Sequence, residues 1–395
     1  MQNTVAPEIY CKWAALHGIA AALQRKVWLP YRDRELYPNL YMVLAGPPRI
    51  GKSTAADMLI DIMNEVPDIV IGPASMTKEK LYVLMEDSRL THNDVPGQPP
   101  GPYMHCSYNI SHSELGVLIK KGDPEITKVM CQLFDCGKIF VHSIKHGAPS
   151  KIEHVWLNMM GAATLRGLRD MLPEHAFEDG FAARLILVYA DTKRHTDKKP
   201  AIGKKRHQLT VRNKLLSGLV LDLRRINKIA GPYEMEDEAY DRFCEWWDEN
   251  GNNGAPKPPS MYLAPYCATR DIHCLKMCMI VAASKRDERV ILLEDYKEAL
   301  DLMENTEDVM HLALGHIGSN IQKLAADRAY NYILQQWGKN QQPTLAADVR
   351  RMLYDEIPAQ YIDTVMREMV NQQMVQVIGE GHETMLKPKI RKKAP

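Results

Sequence analysis

One run constrains this chain more than any other: Gly46-Pro47-Pro48-Arg49-Ile50-Gly51-Lys52-Ser53-Thr54, set between an apolar segment, NLYMVLA, and an amphipathic one, STAADMLIDIMNEV. It matches G-x-x-x-x-G-K-[ST] throughout, and a strand before with a helix after is the context in which that pattern cradles phosphate. Gly46 and Gly51 permit turns that point successive N–H groups at anionic oxygens, and the dipole of the following helix adds positive charge. Lys52 supplies a point charge for the β- and γ-phosphates of a nucleotide such as ATP, and the Ser53 hydroxyl is placed to ligate Mg²⁺. Gly46 to Thr54 is therefore the expected nucleotide-binding segment, in a chain of α/β class.

Strands alternating with helices over residues 39–192 predict a mainly parallel sheet. NLYMVLAG, DIVIGPAS (68–75), MHCSYNIS (104–111), LNMMGAAT (157–164) and RLILVYAD (184–191) read as strands, TKEKLYVLMEDS as a helix and HNDVPGQPPGPY (92–103) as a mobile loop. Residues 137–158 read as a hairpin feeding a core strand. Residues 1–38 read as a helical lead-in, 193–208 as a basic linker and 209–322 as a helix-rich lid region. Residues 323–388, three helices and a hairpin turning at GEGH, describe a winged helix, followed by a basic tail at 389–395.

A bound nucleotide needs an activated water, and a carboxylate at the end of a neighbouring strand can supply the base. Glu114, after MHCSYNIS, is in that position; the plain alternative is the first turn of a helix capped by Ser113 or Ser111. The residue before it is Ser113, where an aspartate would ordinarily hold the metal's water shell, so Ser113 or Asp135 is left to assist Mg²⁺. Thr164 ends a core strand and either meets the γ-phosphate or caps the next helix; Asn158, mid-strand, is a weaker candidate for the same contact. Arg184 stands just ahead of a strand, with Gly180 before it, where it either reaches a neighbouring subunit's nucleotide or makes a surface salt bridge.

The 395 residues carry 50 Lys plus Arg against 49 Asp plus Glu, which excludes a uniformly basic nucleic-acid coat. The neutrality is a cancellation: residues 193–206 carry +6 and 387–395 carry +5, leaving about −10 on the rest. Eight cysteines without a CxxC indicate a reducing cytoplasm, and Cys267, Cys274 and Cys278, with His273, have the spacing of one buried helix face rather than of a metal site. No leader or membrane span is expected.

Taken in order, WAALHGIAAALQRKVWL, YPNLYMVLAGPPRIGKST, SHSELGVL, LNMMGAAT and DGFAARLILVY resemble the AAA+ ATPases, and more narrowly the helicase-like proteins of phages, prophages and plasmids that accompany primases. The likeness covers residues 7 to about 320. It implies a ring of six subunits with ATP at their interfaces, Lys52 and Ser53 as phosphate and metal contacts, Glu114 as catalytic glutamate, Thr164 as first sensor and Arg184 as an arginine finger acting in trans. It also implies a second sensor at Arg270. The 45 residues before the loop are too few for a primase, so a separate primase is an expected partner.

DNA contact is expected at the hairpin tip, through Lys145, His146 and Lys151, and at the basic linker and tail. The leading function is thus a Mg-ATP-dependent DNA motor, a replicative helicase of a phage or mobile element in a bacterial cytoplasm. The alternatives are a non-helicase AAA+ ATPase, such as a helicase loader or a transposition or packaging regulator, and a P-loop kinase.

Overall fold

The computed structural model describes residues 5–73, 75–115, 124–142, 150–172, 180–194, 206–249, 263–354, 357, 359–379 and 384–389. The fold is mixed α/β, and the chain divides into two units, Met1–Ala313 and Leu314–Pro395.

The first unit opens with α1 (Glu8–Leu23), followed by β1 (Val27–Tyr31), β2 (Arg34–Leu36), β3 (Tyr41–Ala45) and α2 (Lys52–Met63). Next come α3 (Lys78–Asp87), β4 (Arg89–Asn93), β5 (Pro102–His112), α4 (Pro124–Phe134), β6 (Ile139–His142), β7 (Ser150–Glu153) and β8 (Val155–Ala163). α5 (Leu165–Met171), β9 (Leu185–Tyr189) and α6 (Arg206–Ile226) lead to α7 (Asp237–Glu249), α8 (Ala264–Cys267) and α9 (Arg270–Lys285). The central sheet has the order β4-β5-β8-β3-β9, parallel except for β4. β3 and β8 are buried along their whole length, as a parallel strand covered on both faces must be.

α1 is more than a lead-in. It is buried almost all round and packs against α2, α6, α9 and the sheet. Trp13 Nε1 donates to Thr306 Oγ1 at 2.8 Å, and His17 Nε2 shares a 2.8 Å hydrogen bond with the Ser111 hydroxyl. Because α6 also packs on α1 and α2, the first unit continues past the expected boundary at 193–208 as far as Ala313. Residues 195–205 of that linker lie outside the described residues.

One strand expectation and one loop expectation change. Among the described residues of 68–75 there is a single bridge, Ile71↔Asn109, instead of a strand. The Tyr108 ring fills the space beside Gly72, and Pro73 has no N–H to continue a ladder. Residues 92–103 are largely a closed hairpin: β4 pairs antiparallel with β5, and Asp94 and Gly101 bond each other across the loop with positive φ.

The helix α10 (Leu293–Asn340) runs unbroken across the expected boundary at 322, so the division falls inside it. The second unit adds β10 (Thr344–Leu345), α11 (Ala346–Tyr354), α12 (Ala359–Asn371), β11 (Val375–Ile378) and β12 (Met385–Pro388), with sheet order β10-β12-β11. Its core joins Ala329 and Ile333, Val349 and Leu353, Val365 and Met369, and Val375 and Leu386. Among the described residues no helix is long and apolar enough to cross a membrane.

Candidate nucleotide site

The loop from Gly46 to Gly51 leaves the C-terminal end of β3 and enters α2 at Lys52. Two glycines are required by the surroundings. A Cβ on Gly46 would stand 2.3 Å from the Ala190 carbonyl oxygen, and Gly51 has φ 103° with the Ala6 backbone pressed against it. Tyr10 fixes the loop's base, its hydroxyl lying 2.6 Å from the Ala45 carbonyl oxygen and 3.1 Å from that of Ala190. Lys52 folds back and donates to the carbonyls of Gly46 (2.8 Å) and Pro47 (2.6 Å), which leaves one ammonium proton for an anion. Burial pushes its pKa below the ordinary lysine value. Pro47 and Pro48 stiffen the turn, Ile50 is buried beneath it, and Arg49, Ser53 and Thr54 face outward.

Register brings the other candidates to the same edge. β5 ends at His112, paired with Gly161 of β8, which is itself level with Val43 of β3. Ser113 and Glu114 follow directly, so Glu114 comes level with Ala45, two strands or about 10 Å across from the loop. Glu114 is exposed. Thr164, one strand away, caps α5: its Oγ1 accepts from Gly167 N at 3.0 Å, and its hydroxyl proton remains free to donate. The cap is present, and it is compatible with a phosphate contact.

The residues present fit the phosphates of a nucleoside triphosphate, since Lys52 retains a free donor and the loop opens directly into the N-terminus of α2. For Mg²⁺ the donors at this edge are Ser53, Ser113 and Glu114, and among the described residues no three His, Cys, Asp or Glu side chains cluster as a metal site. Mg²⁺ held through phosphate oxygens and one hydroxyl needs no such cluster.

The remaining candidates lie elsewhere. Arg184 stands opposite Leu40, six residues before Gly46, hence about 20 Å from its own loop. It donates to both carboxylate oxygens of Asp135 (2.9 and 3.1 Å) and to the Gly180 carbonyl (2.9 Å). Asp135 is therefore at the wrong edge to hold Mg²⁺ within the same chain. Asn158 is also distant and structural: its Oδ1 accepts from Leu40 N and its Nδ2 donates to Asn109.

Arg270 requires a correction. It is buried at the start of α9, donates to Glu307 through Nε (2.7 Å) and Nη2 (2.6 Å), and lies over the Trp246 ring. The neighbouring Thr269 hydroxyl donates to the Ala183 carbonyl, next to Arg184. Arg270 is thus a structural cation at the edge remote from the phosphate loop, not a nucleotide contact. On the same helix His273, Cys274 and Cys278 face the interior, as does Cys267 just before it.

Lys145 and His146, like the tail beyond residue 389, lie outside the described residues. Lys151, on β7, is exposed and paired with Glu153 at 2.8 Å. In the second unit a groove of 650 Å³ between α11, α12 and the hairpin is floored by Met366, Val370, Val377 and Leu386, with Arg350, Asp363 and Arg367 at its rim.

No protein-family model matches the chain, and no curated protein matches it. Sequence reasoning missed Tyr10, Ala6 and the Asp135–Arg184 pair. The first two sit in an apolar helix and its approach, where nothing marks a residue as neighbour to a loop forty positions away.

Proposed function

We propose that the first unit is a Mg²⁺-dependent ATPase of AAA+ type that moves along DNA as a ring, six subunits in the form the resemblance implies, and that the second unit is a winged helix. On this reading the protein is a replicative helicase or helicase-like protein of a phage or mobile element, working beside a separate primase. One observation carries the proposal: the Gly46–Thr54 loop, Thr164, Ser113 and Glu114 share the C-terminal edge of three adjacent parallel strands, which follow one another in the order β3-β8-β5.

The chemistry follows from the placement. Backbone N–H groups of the loop and Lys52 hold the phosphates, and the Ser53 hydroxyl would hold Mg²⁺, which would supply neutralising charge to them. Glu114 takes a proton from a water whose oxygen attacks the γ-phosphorus as the bond to the β–γ bridging oxygen breaks. Thr164 donates its hydroxyl proton toward the γ-phosphate. Arg184 cannot serve its own site across about 20 Å, so it acts on a neighbour's.

A second reading, a non-helicase AAA+ ATPase such as a loader or regulator that switches assembly states, is favoured by the neutralised Lys151 and by the apolar groove of the second unit. ATP turnover measured with and without single- and double-stranded DNA, beside strand displacement on a forked duplex, separates the two. Unwinding supports the helicase, and DNA-stimulated hydrolysis without unwinding supports the second reading. DNA-independent phosphate transfer to a small acceptor sinks both.

A further inference from the structure

One stretch of helix in the first unit leaves a row of leucines in solvent. α6 is fastened to the body through its last turn: Leu223 and Ile226 are buried, Arg224 donates to the Glu65 carbonyl at 2.7 Å, and Arg225 pairs with Asp287. Residues 214–222, KLLSGLVLD, run ahead of that anchor, and none of the nine is buried. Leu215, Leu219 and Leu221 are 58%, 44% and 64% exposed, and a Cβ added to Gly218 would meet nothing within 4 Å.

The order of these nine residues indicates what covers them. Counted outward from Gly218, Ser217 matches Leu219, Leu216 matches Val220, Leu215 matches Leu221 and Lys214 matches Asp222. At 3.6 residues per turn, Lys214, Leu215, Gly218, Leu221 and Asp222 share one face within about 120°. An identical helix laid antiparallel across that face, with the twofold axis through Gly218, sets leucine on leucine and Lys214 on Asp222 at both ends. Lys214 and Asp222 are exposed and have no ion-pair partner among the described residues. A parallel pairing would instead oppose lysine to lysine and aspartate to aspartate, which repel.

We propose that residues 214–222 of α6 pair antiparallel with the same residues of a second copy of this chain. The contact uses one patch on both sides, so it is distinct from the head-to-tail interface of a ring, and it stands without the nucleotide reading. Nine helical residues span about 13 Å, and so short a contact buries less than the roughly 1,200 Å² of a stable interface. The pairing is therefore weak and reversible. Its charge pairs lie at the rim and lose strength with salt.

The test uses the full chain without nucleotide. Sedimentation equilibrium at concentrations up to about 10⁻⁴ M should show a concentration-dependent doubling of mass for wild type. Lys214→Asp and Asp222→Lys each turn both charge pairs into repulsions and should weaken association about tenfold or more. Their thermal melts should match wild type, because neither residue is buried. Mixed one to one, the two variants should associate as wild type does, since each copy then meets opposite charge at both ends. Gly218→Glu sets like charges against each other on the twofold axis and should weaken association by a similar factor. A wild type that does not double over this range would overturn the proposal. So would an equimolar mixture no better than the separate variants, which would give the leucines an occupant other than the same segment.

Discussion

The two ends of the five-stranded sheet use their polar side chains in opposite ways. At the N-terminal end every prominent cation is answered within the chain: Arg184 by Asp135, Arg270 by Glu307, Lys276 by Asn39 Oδ1 at 2.6 Å, and Arg25 by the carbonyls of Cys136 and Val155. At the C-terminal end Arg49, Ser53, Ser113 and Glu114 make no side-chain hydrogen bond among the described residues. Answered charges hold the fold, and unanswered ones at a strand-end crevice are the groups left to meet a ligand. This contrast sorts the candidate residues more sharply than their types do, since arginines occur at both ends.

The largest effects should come from the open end. Lys52→Ala should reduce nucleotide binding and turnover beyond detection, while Glu114→Gln should still bind a labelled nucleotide but lose hydrolysis by about 10²–10⁴-fold. Retained turnover in Glu114→Gln would remove the carboxylate from the chemistry and break the comparison at its main point.

The closed end should answer in stability instead. Arg270→Ala leaves Glu307 buried without its cation, in surroundings that already raise its pKa above the ordinary value by burial, and should cost about 3–5 kcal/mol in urea unfolding. Nucleotide affinity of the folded protein should stay close to wild type. A protein of normal stability with weakened nucleotide binding would instead return Arg270 to the site.

How much of this was legible beforehand depended on whether the signal was local. The Gly46–Thr54 loop declares itself because its chemistry is contiguous, and Ser113 and Glu114 because they end an apolar strand. The parallel sheet followed from alternation, and the hairpin 375–388 from two short runs around glycines. Arg270 was misplaced because its partner Glu307 lies on the next helix, a pairing that only packing creates. The strand expected at 68–75 failed for a similar reason, as Tyr108 is remote in sequence from the Gly72 it covers. α1 was undervalued because its exposed stripe is narrow, Glu8, Lys12 and Ala15, and a wide buried face does not reveal what it packs against.

Acid should loosen both ends through one mechanism. Burial pushes His17 down to about 3 and His273 to about 4, so both stay neutral in the folded chain while the unfolded chain protonates them near 6.5. The unfolded state then binds more protons below 6.5, and stability falls with pH from there toward the folded values. By pH 5 each contributes a loss of about 2 kcal/mol. Urea titrations at pH 7.5, 6 and 5 should show the decline, and His17→Asn should remove roughly half of it. An unchanged pH slope in that variant would mean that His17 is not neutral in the folded chain.

The smallest effect is expected at Lys151, and the reason is the same distinction between answered and unanswered charge. Its ammonium is already paired with Glu153 at the surface, and burial does not strengthen that pair, so its net field at a DNA phosphate is reduced. Lys151→Ala should therefore lower affinity for single-stranded DNA by no more than about threefold and change the slope of log affinity against log salt by less than one. Glu153→Gln is the sharper probe. If the hairpin tracks a strand, removing that carboxylate releases the lysine, and binding should tighten and become more salt-dependent. If neither variant moves the salt slope while the ATPase remains DNA-stimulated, the hairpin leaves the DNA path and the contact passes to the basic residues after Asp191.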